Sequence, residues 1–259
     1  VSVVPGINAD THGTEPSAAI LVIGDEVLSA RVTDVNSVYL CRRLDELGVA
    51  VGRVVVVPDV VAQIAADVAE LSASFTHVIT TGGVGPTHDD VTMAGVAAAF
   101  DMPLVRHPVA ERAIRDFYGA DMADAALRMA DLPKGAELVL EADMRFPVVH
   151  VGNVWIFPGS PHLLKMKFER VSDRFASTPY HTERLALNTG EPEIAPFLSQ
   201  VQDRFADVAI GSYPQEPGEP VRLIITLKGK NADRVAAVLA ALKEGLEAYR
   251  YPEDAAGSV

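Results

Sequence analysis

A chain of 259 residues, 49% of them hydrophobic, can bury the core of one large or two modest domains. Its net charge of −13 excludes a general nucleic-acid binder and a binder of anionic membrane surfaces, since neither polyanion meets a basic footprint. A single cysteine, Cys41, excludes an intrachain disulfide and a cysteine-built zinc site, and no apolar run approaches the ~20 residues of a membrane helix.

Residues 1–17 are rich in Gly, Pro, Ser, Thr and Asp and read as a flexible tail; they lack the charged and apolar regions of a signal peptide, so the expected location is cytoplasmic. The run Ala19-Ile20-Leu21-Val22-Ile23 predicts a buried strand ending at Gly24-Asp25-Glu26. Thr33 and Asp34 are placed to cap a helix with Val35, Val38, Cys41, Leu44 and Leu47 on one stripe, stopped by Gly48; Cys41 is then a core thiol. A second strand over 53–57 ends at Pro58-Asp59, and the next helix carries Val61, Ile64, Ala65, Val68 and Leu71. A third strand, 78–81, runs into a glycine-rich turn, and an Ala-rich helix spans 91–100.

Residues 106–147 are less regular, with a charged helix over 108–118, another over 121–130, and then a loop containing Pro and Gly. A buried strand at 154–157 ends at Pro158-Gly159-Ser160-Pro161-His162, with His162 starting a helix that carries Leu163, Leu164, Met166 and Phe168. Continuous apolar strands alternating with helices predict an α/β fold, a parallel sheet covered on both faces. From about residue 180 the order becomes strand 184–188, helix 191–205, strands 208–213 and 221–227 around a Pro/Gly turn, and helix 232–246. That β-α-β-β-α order predicts a smaller α+β C-terminal domain with an antiparallel sheet. The expected division is a tail over 1–17, an α/β domain over 18–175, a small α+β domain over 180–250 and a second tail over 251–259.

In open parallel sheets, ligands bind beyond the carboxyl ends of the strands, and four such ends here carry glycines or polar groups. They are Gly24-Asp25-Glu26, Pro58-Asp59, the stretch Gly82-Gly83-Val84-Gly85-Pro86-Thr87-His88-Asp89-Asp90, and Pro158 to His162. Three glycines in four positions at a helix start offer backbone N–H groups to an anion, in a spacing that is neither the dinucleotide fingerprint nor a P-loop. Asp59 and Asp90 also suit N-cap positions of the helices that follow them, and Asn36 can cap locally or face the pocket. The neighbours Asp89 and Asp90 diverge, so one can cap while the other faces the ligand. A phosphate ~4 Å from bare carboxylates is repelled by about 4 kcal/mol at an effective dielectric near 20, whereas one helix end returns only about 0.3–2 kcal/mol. A divalent cation bridging carboxylate and phosphate, or a ligand donating ring N–H groups to the carboxylates, resolves the conflict. No Ser-His-Asp triad or nucleophile elbow is legible.

Gly24-Asp25-Glu26, Val57-Pro58-Asp59, the run from Thr81 to Thr92, and Phe157-Pro158-Gly159-Ser160-Pro161 together resemble the molybdopterin-binding domain family. Two branches are most similar: the N-terminal domain of competence/damage-inducible protein A and the molybdopterin-binding-like domain of eukaryotic FAD synthases. The second is marked by Phe75-Thr76-His77-Val78 and by Phe146-Pro147. The resemblance covers residues 18–170 and extends more loosely over 180–250. It implies a three-layer α/β domain of the molybdenum-cofactor biosynthesis type, with Asp90 and Asp59 lining the pocket as the expected catalytic pair. Gly24, Asp25, Glu26, Asn36, Gly82, Gly83, Gly85, Pro86, Thr87, His88, Thr92, Gly159 and Ser160 are the expected ligand contacts, with Asp89 and Asp90 at a metal. It further implies metal-dependent hydrolysis of a nucleotide diphosphate such as ADP-ribose or FAD with magnesium, manganese or cobalt, or else binding of molybdopterin without hydrolysis, and a homodimer. The 259 residues hold no counterpart of a nicotinamide-nucleotide amidase or FAD-synthase domain, so those activities are not expected.

Overall fold

The computed structural model describes residues 15–119, 124–141 and 144–251. The chain divides into two compact units, the first ending at Ser177 and the second beginning at Thr178.

The first unit is built on a six-stranded sheet of order β2-β1-β3-β8-β7-β6. Its parallel part comprises β1 (Ser17–Ile23), β2 (Ala50–Val57), β3 (His77–Thr81) and β8 (Val154–Phe157). Helices α2 (Asn36–Glu46) and α7 (Pro161–Val171) cover one face, where Ile20, Ile79 and Phe157 pack with Leu40, Leu44, Leu164 and Phe168. Helices α3 (Val61–Ser74), α4 (Thr92–Ala99) and α5 (Pro108–Tyr118) cover the other, where Leu21, Val78 and Ile156 pack with Ile64, Val68, Val96 and Ile114. Burial on both faces is why these strands are unbroken apolar runs rather than alternating ones.

The expected parallel sheet is present and gains a mixed edge. β7 (Val148–Val151) runs antiparallel to both β8 and β6 (Glu137–Val139), because the two-residue turn Gly152-Asn153, with Gly152 at φ 62°, folds β7 directly back onto β8. The 106–147 stretch read as helices and loop also contains β5 (Asp131–Pro133), which pairs with β4 (Leu104–Arg106). The helix expected over 121–130 is α6 (Asp124–Leu127) followed by a 3-10 turn (Arg128–Ala130); residues 121–123 lie outside the described residues. A short helix at the end of β1, α1 (Asp25–Leu28), was not foreseen. The tail expectations fall mostly outside the described residues, and Ser17 already belongs to β1.

The helical stripe expected on α2 is rotated. Val35 and Val38 are exposed, and the buried positions are Asn36, Ser37, Leu40 and Leu44. The first turn of that inner face meets polar strand ends instead of core, so polar residues occupy it. Asp34 does cap the helix, its Oδ1 accepting the N–H groups of Asn36 and Ser37 at 3.0 Å each. On α7, Leu163 faces solvent and the buried Lys167 takes a place on the inner stripe. Cys41 is half-buried beside the Leu40 and Leu44 core, and burial pushes its thiol up.

The second unit is a three-stranded antiparallel sheet, order β10-β11-β9, from β9 (His181–Leu187), β10 (Ala209–Pro214) and β11 (Leu223–Gly229). Helices α8 (Glu191–Arg204) and α9 (Ala232–Gly245) pack on it through Ile194, Val201, Val235 and Leu242, in the β-α-β-β-α order the sequence predicts.

Candidate functional site

The carboxyl ends of β1, β2, β3 and β8 meet at one edge of the first unit and bring four separate sequence stretches together. Asn36, at the first turn of α2, ties two of them. Its Nδ2 donates to Thr81 Oγ1 at 3.0 Å and to the Gly159 carbonyl at 2.8 Å. Thr81 Oγ1 in turn donates to the Pro158 carbonyl at 3.1 Å. Asn36 is buried, 7% exposed, and while Nδ2 makes these two bonds its Oδ1 has no hydrogen-bond partner among the described residues.

Asp59 and Asp90 do not cap the helices that follow them. The N-cap positions of α3 and α4 are Val60 and Val91, with no side-chain cap hydrogen bond at either. Asp59 instead turns back across the strand ends, and its Oδ2 accepts the Asp25 N–H at 2.9 Å. Burial pushes the Asp59 carboxyl above the usual carboxylate range, and the negative charges of Glu26, Asp25 and Asp89 push it further; the Asp25 N–H opposes them. Asp90 closes its own loop, its Oδ2 accepting from the Thr87 N–H at 2.8 Å and from the Thr87 hydroxyl. The Thr87 hydroxyl also holds the exposed Asp89 carboxyl below its ordinary range, aided more weakly by His88, whose Nδ1 lies 3.9 Å from Asp89. Among the described residues no Lys or Arg pairs with Asp25, Glu26, Asp59 or Asp90.

The glycines permit the close packing of these loops. Gly82 has φ 108°, and a Cβ there would lie 2.0 Å from the Ile23 carbonyl oxygen. Its N–H donates to the Phe157 carbonyl, and Gly159 sits against its Cα. At Gly85 a Cβ would lie 2.6 Å from Asp90 Oδ2, so the missing side chain makes room for the folded-back carboxylate. Thr92, fully buried, donates through Oγ1 to the Gly82 carbonyl at 2.7 Å and through its N–H to the Gly83 carbonyl at 3.0 Å, which fixes the turn at the α4 N-terminus. Gly24 anchors the β1 end to β2 by donating to the Val57 carbonyl, and the exposed Asp25 and Glu26 follow it in α1.

His88 is exposed at the loop tip, Pro86 is half-buried, and Ser160 occupies the N-cap position of α7 without a side-chain cap bond. His162 is the second residue of α7 and exposed. Sequence reading did not single out Thr81, whose role as acceptor for Asn36 rests on pairing across 45 residues; its place at the end of a buried strand was the available signal. Among the described residues no group of three or more His, Cys, Asp and Glu side chains forms a metal cage. The site is therefore an acidic rim around a glycine turn. Such a rim suits a hard cation that takes one or two carboxylates and completes its shell with ligand phosphate oxygens.

Comparison with known proteins gives the lineage of this arrangement. Residues 19–177 match the family described as "Probable molybdopterin binding domain". The chain belongs to the molybdopterin-binding domain family. Residues 179–254 match the family described as "FAD synthase, middle domain". A protein of Archaeoglobus fulgidus is 32% identical over 231 residues, covering 89% of this chain and 98% of its own. A "Probable FAD synthase" of Caenorhabditis elegans is 31% identical over 90% of this chain, which spans 50% of that protein's length. Among solved structures, CinA from Thermoplasma acidophilum, described as of unknown function, superposes with a TM-score of 0.58 at 26% identity. That superposition covers 62% of this chain and 98% of CinA. The protein is thus a CinA-like and FAD-synthase-like member of the molybdopterin-binding domain family. Among the described residues no helix is long and apolar enough to cross a membrane.

Proposed function

We propose that the protein is a divalent-metal-dependent pyrophosphohydrolase of a nucleotide diphosphate such as ADP-ribose or FAD. The observation that carries this reading is the charge at Asp59. Burial first, and then the charges of Glu26, Asp25 and Asp89, push this half-buried carboxyl up, with no Lys or Arg among the described residues paired to it, beside a glycine turn at a helix N-terminus. Bare carboxylates there repel a diphosphate, and a divalent cation placed between the two offsets that repulsion.

In this reading the N–H groups of Gly83, Val84 and Gly85 hold the diphosphate before the α4 N-terminus, those of Gly82 and Thr92 being bonded to the Phe157 and Gly83 carbonyls. Asp89 and Asp90 would hold the cation together with phosphate oxygens of the ligand, and it would supply Lewis-acid polarisation of the phosphoryl group. Asp59, with its raised pKa, accepts the proton of an attacking water as that oxygen bonds to phosphorus and the bridging P–O bond breaks, the departing phosphate keeping the electron pair. The test is hydrolysis of ADP-ribose and FAD with magnesium, manganese or cobalt by the wild type, Asp59→Asn and Asp90→Ala. Turnover should require metal and fall at least ~100-fold in both variants while their melting temperatures stay within a few degrees of wild type. Undiminished turnover in the variants overturns the assignment.

A second reading is favoured by the unpartnered Asn36 Oδ1 and by the family itself: a pterin phosphate bound without hydrolysis, its ring N–H groups donating to Asn36 and the carboxylates. A purified protein carrying a pterin fluorophore and hydrolysing neither diphosphate supports this second reading.

A further inference from the structure

The antiparallel edge of the sheet returns the chain to the ligand end. Val149 of β7 pairs with Ile156 of β8, so the residues just before β7 lie beside those just after β8. There, Arg145 and Phe146 meet the last turn of α5. Phe117 packs edge-on against Phe146, with centroids 5.3 Å apart, and against Tyr118 at 4.7 Å. The Arg145 guanidinium lies 5.2 Å from the Phe117 ring centre. The backbone beneath is fixed, since the buried Lys167 ammonium donates to the carbonyls of Phe146 at 3.0 Å and Pro147 at 2.7 Å. Yet Phe117 and Tyr118 remain 46% and 50% exposed. Two mutually perpendicular aromatic rings and a guanidinium, about half in water, offer a platform of π-faces for stacking.

We propose that this platform binds the heteroaromatic ring, purine or isoalloxazine, of a nucleotide whose diphosphate lies at the 82–90 turn. The inference rests on the nucleotide-diphosphate reading of that turn and adds the part of the site that selects for a ring. Position supports the link. β3, which ends in the glycine turn, and β7, which begins just after Phe146, are two strands apart in the sheet. Both the turn leading into α4 and the C-terminal turn of α5 belong to the helical layer on the same face of the sheet. Chemistry supports it as well. The guanidinium over Phe117 offers a planar face that a flat ring can stack on, and stacking tolerates either ring system because each presents a π-face.

The experiment compares equilibrium affinities of wild type, Tyr118→Ala and Arg145→Ala for FAD, ADP-ribose and inorganic pyrophosphate, each with magnesium, alongside a separate hydrolysis assay. Both substituted residues are exposed, so the fold is retained. Each variant should weaken the ring-bearing probes about tenfold and leave pyrophosphate unchanged; FAD and ADP-ribose separate isoalloxazine from purine as the stacked ring. Unchanged affinity for both ring-bearing probes, an equal loss for pyrophosphate, or no binding of either ring-bearing probe by wild type overturns the platform. Ring-selective losses without any hydrolysis uphold the platform and defeat the hydrolase reading. Hydrolysis with variant-insensitive affinities does the reverse.

Discussion

Gly82 lies where two strand ends meet, and both its torsion and its space are taken. An alanine there adopts φ near 108° with its Cβ pressed on the Ile23 carbonyl, and a backbone carbonyl on a buried strand cannot yield as a side-chain tip can. Gly82→Ala should cost about 2–4 kcal/mol, read as a lowered urea midpoint at unchanged slope. Equal midpoints would show that the β1 and β3 ends are free to part. The glycines, Asp59 and Asp90 were all visible in the sequence as a strand-end pattern. What their side chains do was not. Cap preference favours Asp before a helix, but Asp59 answers to the Asp25 N–H from another strand, and Asp90 to Thr87 in its own loop. A local preference of about 1 kcal/mol yields to partners that only the folded chain supplies.

Among the elements, α7 carries the least expected residue. Lys167 lies on its buried stripe, and burial pushes the ammonium down to about 8 from an ordinary 10.5. Between those values the unfolded chain holds a proton that the folded chain has lost, so this group raises stability as pH climbs from about 8 to 10.5. Lys167→Met removes that contribution. The stability of wild type relative to the variant should therefore grow over that window by up to roughly 3 kcal/mol, measured by urea unfolding at pH 7.5 and 10.5. A constant difference would mean that the ammonium titrates alike in both states. The strong periodicity of α3 and α5 made those helices legible, whereas β4, β5 and β6, each three residues long, carry too few side chains for any period to register. The α2 stripe misled because its first turn faces the polar strand ends, where Asn36 replaces an apolar residue and bonds Thr81 and Gly159.

At the scale of the whole molecule, each unit has its own core, and the chain's one tryptophan, Trp155, lies in the first. Ile225, fully buried in the second, makes a local test. Ile225→Ala should cost about 2–5 kcal/mol there and bring out a far-ultraviolet circular dichroism transition at urea concentrations where Trp155 fluorescence is still native. A single coincident transition would indicate one cooperative unit. The layered α/β unit, the β-α-β-β-α unit after it and the four polar or glycine-bearing strand ends are legible in the chain alone, because apolar runs, helical periods and turn glycines are local signals. That Asn36 bridges Thr81 to Gly159, that Asp59 crosses to Asp25, and that Arg145 lies over Phe117 follows from the folded structure. Those relations join residues 28 to 123 positions apart, and their partners are set by which strands lie side by side rather than by what stands next in the chain.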